Sequence, residues 1–303
     1  MRRSLSRMFV SPRILSLALG LALTGFATAK EPFKPNLGPE LPRITVTCGD
    51  VTLLLRQATQ WTPGRIDFRG SAMTTESSAY GTVFSFPDVG FIGTAHLENE
   101  PEQLQSLDFF LDNQRIETPA AELKGSTFRL ERKSRIRTFD LTNTTEIKDH
   151  RLYETATVHT AAAVPLKLVY HFMHAWRPTM SAFLAGSDSL PDHTISGPLR
   201  DDKEVAKKFY INQRVDWLAV YEPQSGQFAV SRLLQAPELG GHTATLWNVP
   251  GVYRKSYLKC FESATVPAGF TGTWRMVTAF GTSPLETWEA QARSLAATLR
   301  DTR

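Results

Sequence analysis

Residues 164–178 (VPLKLVYHFMHAWRP) place two imidazoles, an ammonium group and an indole in one short segment. Side chains of a strand alternate between faces. Read as a strand, the segment sends Leu166, Leu168, Tyr170 and Phe172 one way and Lys167, Val169, His171 and Met173 the other. His171 then shares a face with Lys167 and leaves the apolar side. Either a general acid or a structural, hydrogen-bonded imidazole would sit that way. In a regular strand His174 points oppositely, so no two-histidine metal site is expected here.

Residues 90–102 (GFIGTAHLENEPE) carry a second constellation. His96, Glu98 and Glu100 follow at i, i+2 and i+4, which on a strand puts all three on one face. Such a cluster suits a hard cation or a sugar hydroxyl, and Glu98 or Glu100 could supply a general base. The plainer reading is a solvated strand end stopped by Pro101. Just upstream, Tyr80, Phe84, Phe86 and Phe91 offer rings for stacking on a sugar, although the alternation of Phe84 and Phe86 favours core for those two. In 129–137, Arg129, Arg135 and Arg137 have one parity, a basic sheet face able to hold an acidic sugar by charge-assisted bonds, or an ordinary solvated face. Asn143-Thr144-Thr145 matches a glycosylation sequon.

These residues must be positioned by strands. Period-two patterns dominate from residue 44 onward, with at least twelve candidate strands at short spacing. Asp112-Asn113 marks a hairpin turn. The phase of apolar residues reverses after Ile136, which suggests a bulge near Thr138. One helix is expected, over 284–300, with Ser283 as N-cap, Pro284 at its first position and Glu286 completing a capping box. Its apolar stripe is Leu285, Trp288, Ala292, Leu295 and Leu299. No repeat with a period of 20–50 residues is visible, which argues against a propeller or solenoid. The expected fold is all-β: a single domain over 43–303, a large twisted antiparallel β-sandwich with one C-terminal helix.

The chain has 303 residues, with 34 Lys+Arg against 30 Asp+Glu. Arg2, Arg3, Arg7 and Arg13 lie in the first 29 residues, which contain no acid, so 30 basic residues face 30 acidic ones in the remainder. A basic start, an apolar run over 14–26 and Ala27-Thr28-Ala29 have the layout of a signal peptide, 1–29. Export to a periplasmic or extracellular location is expected, with an extended leader over 30–42 and no stable membrane insertion after cleavage. The neutral remainder argues against nucleic acid as a partner. In such a compartment Cys48 and Cys260 allow either a bridge or two buried free thiols. There is no Gly-x-Ser-x-Gly elbow, phosphate loop, dinucleotide fingerprint or Cys-x-x-Cys, and no cofactor is implied.

Pro165, five intervening residues and His171, with Phe172 and Trp176 following, resemble the histidine strand of galactose mutarotase-like proteins of the aldose 1-epimerase type. Thr265-Val266-Pro267-Ala268-Gly269 before a long final strand is similar to that family's closing turn. The resemblance implies a β super-sandwich with a concave, sugar-binding face and makes His171 the general acid. The family's general base is a Glu, and residues 246–248 at the corresponding place hold no carboxylate, so the base falls to Glu98 or Glu100. His96, Tyr80, Lys167 and Trp176 are then candidate sugar contacts, with Arg135 or Arg137 orienting an acidic one. The fold also serves polysaccharide lyases. The expected function is therefore an exported carbohydrate-binding protein, with epimerase- or lyase-type chemistry left open. The alternatives are a non-enzymatic binding or structural module of the cell envelope, and a metal-assisted hydrolase built on His96, Glu98 and His174.

Overall fold

The computed structural model of the chain describes residues 42–76, 80–96, 99–201 and 209–300. The expected signal segment, almost all of the leader and Glu98 lie outside the described residues.

Strict alternation builds the sheets. Along Phe128–Ile136 the buried residues are Phe128, Leu130, Arg132, Ser134 and Ile136, so one whole face of the strand turns inward. This strand belongs to a ten-stranded sheet. The long strand Phe270–Thr282 lies near the sheet's middle, between Arg151–Thr160 and Gln227–Gln235. A six-stranded sheet runs in the order Phe209–Gln213, Thr243–Val249, Tyr253–Cys260, Leu168–Trp176, Val83–Phe86 and Gly90–Gly93. A five-stranded sheet includes Arg43–Cys48, Val51–Arg56 and Pro63–Phe68, and its one parallel pairing joins Arg43–Cys48 to Glu122–Gly125.

Both smaller sheets cover the same face of the large one. Phe84, Val169, Leu258 and Cys260 of the six-stranded sheet meet Phe139, Leu141, Val158 and Trp274. Val46, Leu53 and Ile66 of the five-stranded sheet meet Phe128, Leu130 and Ile147. The helix Trp288–Thr298 packs on the opposite face, against Tyr221, Phe228, Val230 and Ala279, and Trp288 stacks on Tyr221 at 4.9 Å. The chain is thus an all-β sandwich with one C-terminal helix, as the periodicity predicts. No helix among the described residues is long and apolar enough to cross a membrane.

Three local expectations are corrected, and the open choice for the two cysteines is decided. The phase reversal after Ile136 is a hairpin, not a bulge at Thr138: Ile136 pairs with Phe139, and Arg137 takes φ 53° in the two-residue turn. A two-residue connection shifts the alternation as an extra residue would, so sequence phase alone does not separate them. The helix begins at Trp288 rather than 284. The Ser283 hydroxyl meets Thr287 Oγ1 at 2.9 Å, and Thr287 N–H donates to the Pro284 carbonyl at 3.1 Å, closing a turn that leaves Leu285 exposed. Cys48 and Cys260 are free thiols buried in separate clusters, under different sheets. Asn143 of the sequon faces inward, where its Oδ1 accepts from the Thr82 hydroxyl at 3.2 Å, so the folded chain does not present it for glycosylation.

Candidate functional site

The six-stranded sheet positions most of the chemistry, and one residue decides how. Phe172 has φ 55°, a left-handed conformation unusual for a bulky residue. Phe172 and Met173 together oppose one position of the neighbouring strand: His171 pairs with Leu258 and His174 with Ser256. This bulge breaks the alternation, so His171 and His174 both face the interior rather than opposite sides. A second break, at Lys167, separates Val164–Leu166 from Leu168–Trp176. Leu166 and Phe172 consequently join the interior cluster, while Leu168 and Tyr170 turn outward.

His171 is wholly buried, packed at a tilt against Trp274 with ring centroids 4.4 Å apart, with Nδ1 3.0 Å from the Thr82 hydroxyl and Nε2 without a partner. Burial pushes its pKa down to about 3, because charge is costly without water. A neutral, enclosed imidazole is far too weak an acid to protonate a ring oxygen, so its setting is that of a structural histidine. His174 Nε2 lies 2.8 Å from Glu154, also inside. Trp176 faces the same interior and donates to Ser256 Oγ at 2.8 Å, which removes it from the ligand contacts. Lys167 is exposed at the break between strands, away from His171's enclosure.

The carboxylates and arginines take up one another. Arg137 binds Glu100 and Asp88 and lies over the Phe86 ring at 4.5 Å. Its hydrogen bonds hold both carboxylates below their usual range, so Glu100 is a poor proton acceptor. Arg135 is paired with Asp140 at 2.8 Å, and Arg129 with Glu131. The basic strand is therefore largely neutralised at its own surface. The fourth arginine, Arg132, shares the inward parity of Leu130 and Ser134. It forms a fully buried two-pronged pair with Glu102, at 2.6 and 2.8 Å, which Thr94 and Ser134 also bond.

The outer face of the six-stranded sheet is different. Strand register places Phe209 opposite Trp247, Trp247 opposite Lys255, and Thr245 opposite Tyr257. Ala175 lies opposite Lys255, Tyr170 opposite Val83, and Ser85 opposite Phe91. All of these share the outward parity. Tyr80 and His96 join them from the flanking loops, ring centroids 4.3 Å apart. His96 Nε2 lies 2.9 Å from the Tyr170 hydroxyl, and Tyr170 packs on Tyr257 at 4.9 Å. The Lys255 ammonium sits 5.2–5.5 Å from the ring centroids of Tyr80, Tyr170, Tyr257 and Trp247, within cation–π reach of each. Burial raises the Tyr257 pKa, which keeps that hydroxyl a hydrogen-bond donor.

Of the expected site residues, this face unites Tyr80 and His96. It excludes His171 and Trp176, which lie behind the sheet. It also separates His96 from His174, so the sheet itself divides the proposed His96, Glu98 and His174 metal set. Among the described residues no three of His, Cys, Asp and Glu are grouped to hold a metal ion. Sequence reading missed Trp247, Lys255 and Tyr257. The signal was present in YRKSYLKC, where Tyr253, Lys255, Tyr257 and Lys259 alternate, but period two does not say which face stays open.

No protein-family model matches this sequence, and no curated protein matches it either. Solved structures do resemble it in chain path. A putative aldose 1-epimerase from Escherichia coli K12 is 8% identical, with TM-score 0.44 over 80% of this chain and 99% of that one. A galactose mutarotase-like protein from Clostridium acetobutylicum is 9% identical, with TM-score 0.46 over 78% and 94%. A GH36 α-galactosidase from Geobacillus stearothermophilus, solved with stachyose, is 11% identical, with TM-score 0.47 over 86% of this chain and 43% of that one. Galactose mutarotase-like structures are thus among those that share this chain's path, and at these values no residue role is carried over.

Proposed function

We propose that the chain is an exported carbohydrate-binding protein whose ligand lies on the outer aromatic face of the six-stranded sheet. The observation that carries this reading is the Lys255 ammonium among the rings of Tyr80, Tyr170, Trp247 and Tyr257. A pyranose has an apolar C–H face and a polar rim. The partly exposed rings of Tyr80, Trp247 and Tyr257 match the first, and the Lys255 ammonium set among them lies at the second. Acid–base turnover on this face, of epimerase or lyase type, would run through His96 and Tyr170, whose polar atoms are 2.9 Å apart. It would not run through His171. The reading as a non-enzymatic envelope module shares the same face and differs only in turnover.

Export rests on the first 29 residues, and N-terminal sequencing of secreted protein is expected to begin at Lys30. The binding reading is tested with a glycan array and calorimetry on the full chain and on Trp247→Ala. Trp247 is partly exposed, so its loss leaves folding intact and is expected to weaken binding at least tenfold, equivalent to about 1.4 kcal/mol. Unchanged binding in that variant would remove the ligand from this face.

A further inference from the structure

The inner face of the ten-stranded sheet has a polar interruption. Along Phe139–Lys148 the inward residues Phe139, Leu141 and Ile147 are buried, while Asn143 and Thr145 between them are only partly so. The neighbouring strand Phe128–Ile136 sets Arg132 opposite Asn143 and Leu130 opposite Thr145. These four residues floor a pocket of about 280 Å³, its mouth included. Trp61 and Pro63, at the start of a strand of the five-stranded sheet, form one wall, and Thr94, just after Gly90–Gly93, forms another. We propose that this pocket binds one small, neutral, hydroxylated molecule, a polyol or a single sugar. It lies on the inner side of the sheets, apart from the outer aromatic face, and the inference stands without the reading placed there.

Two unspent donors carry the proposal. Arg132 is 3% exposed. Its Nη1 and Nη2 donate to Glu102 at 2.8 and 2.6 Å, while its Nε has no partner. The Asn143 amide accepts from Thr82 through Oδ1 and leaves Nδ2, also buried, without one. A buried donor left unpaired is costly, so each of these N–H groups favours an acceptor oxygen beside it. The two residues face each other across one strand pair, so a single small molecule can reach both.

Charge selects the class of molecule. Arg132 already has its counter-charge in Glu102. An anion would add an uncompensated charge beside a buried carboxylate, whereas a neutral hydroxyl or ring oxygen accepts from both donors at no such cost. The remaining walls point the same way. Trp61, Pro63 and Leu130 offer apolar surface to C–H groups, and the Thr145 hydroxyl can donate or accept at the rim. Drug-sized sites run to roughly 300–1,000 Å³, so this smaller pocket suits one ring or a shorter chain.

The wall is fixed in place. Gln60 and Trp61 have φ 53° and 65°, left-handed values uncommon for such residues. The Gln60 Oε1 accepts from the Ala95 N–H at 2.8 Å, which ties the turn carrying the indole to the segment carrying Thr94. Little ordering is then left for binding to supply.

The experiment is isothermal titration calorimetry on the full chain with glycerol, erythritol, xylose and glucose, and with chloride and acetate as anionic probes. At least one neutral probe is expected to bind, one per chain, and neither anion. Asn143→Ala removes one donor and strands no polar group, because the Thr82 hydroxyl keeps His171 Nδ1 at 3.0 Å. Trp61→Ala removes the apolar wall. Circular dichroism checks that both variants are folded, and each is expected to weaken binding at least tenfold. Binding unchanged in Asn143→Ala but lost in Trp247→Ala would put the molecule on the outer face and overturn the pocket. Binding of an anion and of no neutral probe would make this an anion site and overturn the proposal. If no probe binds, the pocket holds water only and the proposal falls; a crystal structure would then show water on Arg132 Nε and Asn143 Nδ2.

Discussion

His171 and His174 point to the same side of one strand, three residues apart, because Phe172 between them is held in a left-handed conformation. That bulge takes both imidazoles off the surface and leaves Tyr170 and Met173 on the outer side. The histidine strand therefore supplies the interior with polar groups and the outer face with rings.

The His171 environment predicts acid sensitivity. Its folded pKa of about 3 lies below the ordinary 6.5, so between these values the unfolded chain takes up a proton that the folded chain refuses. Stability is then fully present above about pH 6.5 and falls as pH drops toward 3, by up to about 1.4 kcal/mol per pH unit from this group. Urea midpoints measured from about pH 4.5 to 7.5 are expected to flatten in His171→Gln, which keeps a polar atom for Thr82. Parallel curves for the two proteins would place the titration elsewhere.

Breaking the buried pair of Glu102 and Arg132 is expected to be costly. Glu102→Gln leaves an enclosed guanidinium uncompensated, a loss of about 3–5 kcal/mol in denaturant unfolding. The double variant Glu102→Gln with Arg132→Met is expected to lose less than the two single changes added together, because no charge remains stranded. Additive losses would show that the pair is not coupled.

Gly93 is predicted to be the least replaceable glycine of the face. It stands opposite Val83, and a Cβ there would lie 2.6 Å from the Val83 Cα and 2.7 Å from the Thr82 carbonyl oxygen. Backbone cannot give way as a side-chain tip can, so Gly93→Ala is expected to cost about 1–3 kcal/mol. It should also weaken glycan binding, because Tyr80 and His96 hang from the segments it pushes apart. A thermal melt and a titration on one preparation check both effects.

Both thiols are predicted to be silent in the folded protein. Burial raises the Cys48 pKa to about 11 and pushes Cys260 further up, so neither forms a thiolate near neutrality. A thiol reagent is expected to react with neither in native buffer and with both in guanidinium. A reducing agent should leave the melting temperature unchanged. A mass two hydrogens short before reduction would instead reveal a bridge.

Much of the architecture was legible in the residue order. Strict alternation in 128–136 and 151–160 fixes which side chains turn inward, and Asp112-Asn113 turns where such pairs favour positive φ, at 51° and 65°. The capping residues near 283–287 marked the helix to within one turn. These features depend on neighbours in the chain, and periodicity reports them directly.

The site was not legible in the same way. Pro165 and His171 have a suggestive spacing, but the Phe172 bulge lies between His171 and His174, and nothing in HFMH announces it. Arg132 reads as one more surface arginine until Glu102, thirty positions away, is found against it. Lys255 and Trp247 become a site only when three separate strands and a flanking loop bring Tyr80, Tyr170 and Tyr257 beside them. Local order sets which way a side chain points relative to its neighbours. Strand pairing across the sheet decides which of the two faces is left open to water, and so which residues can meet a ligand.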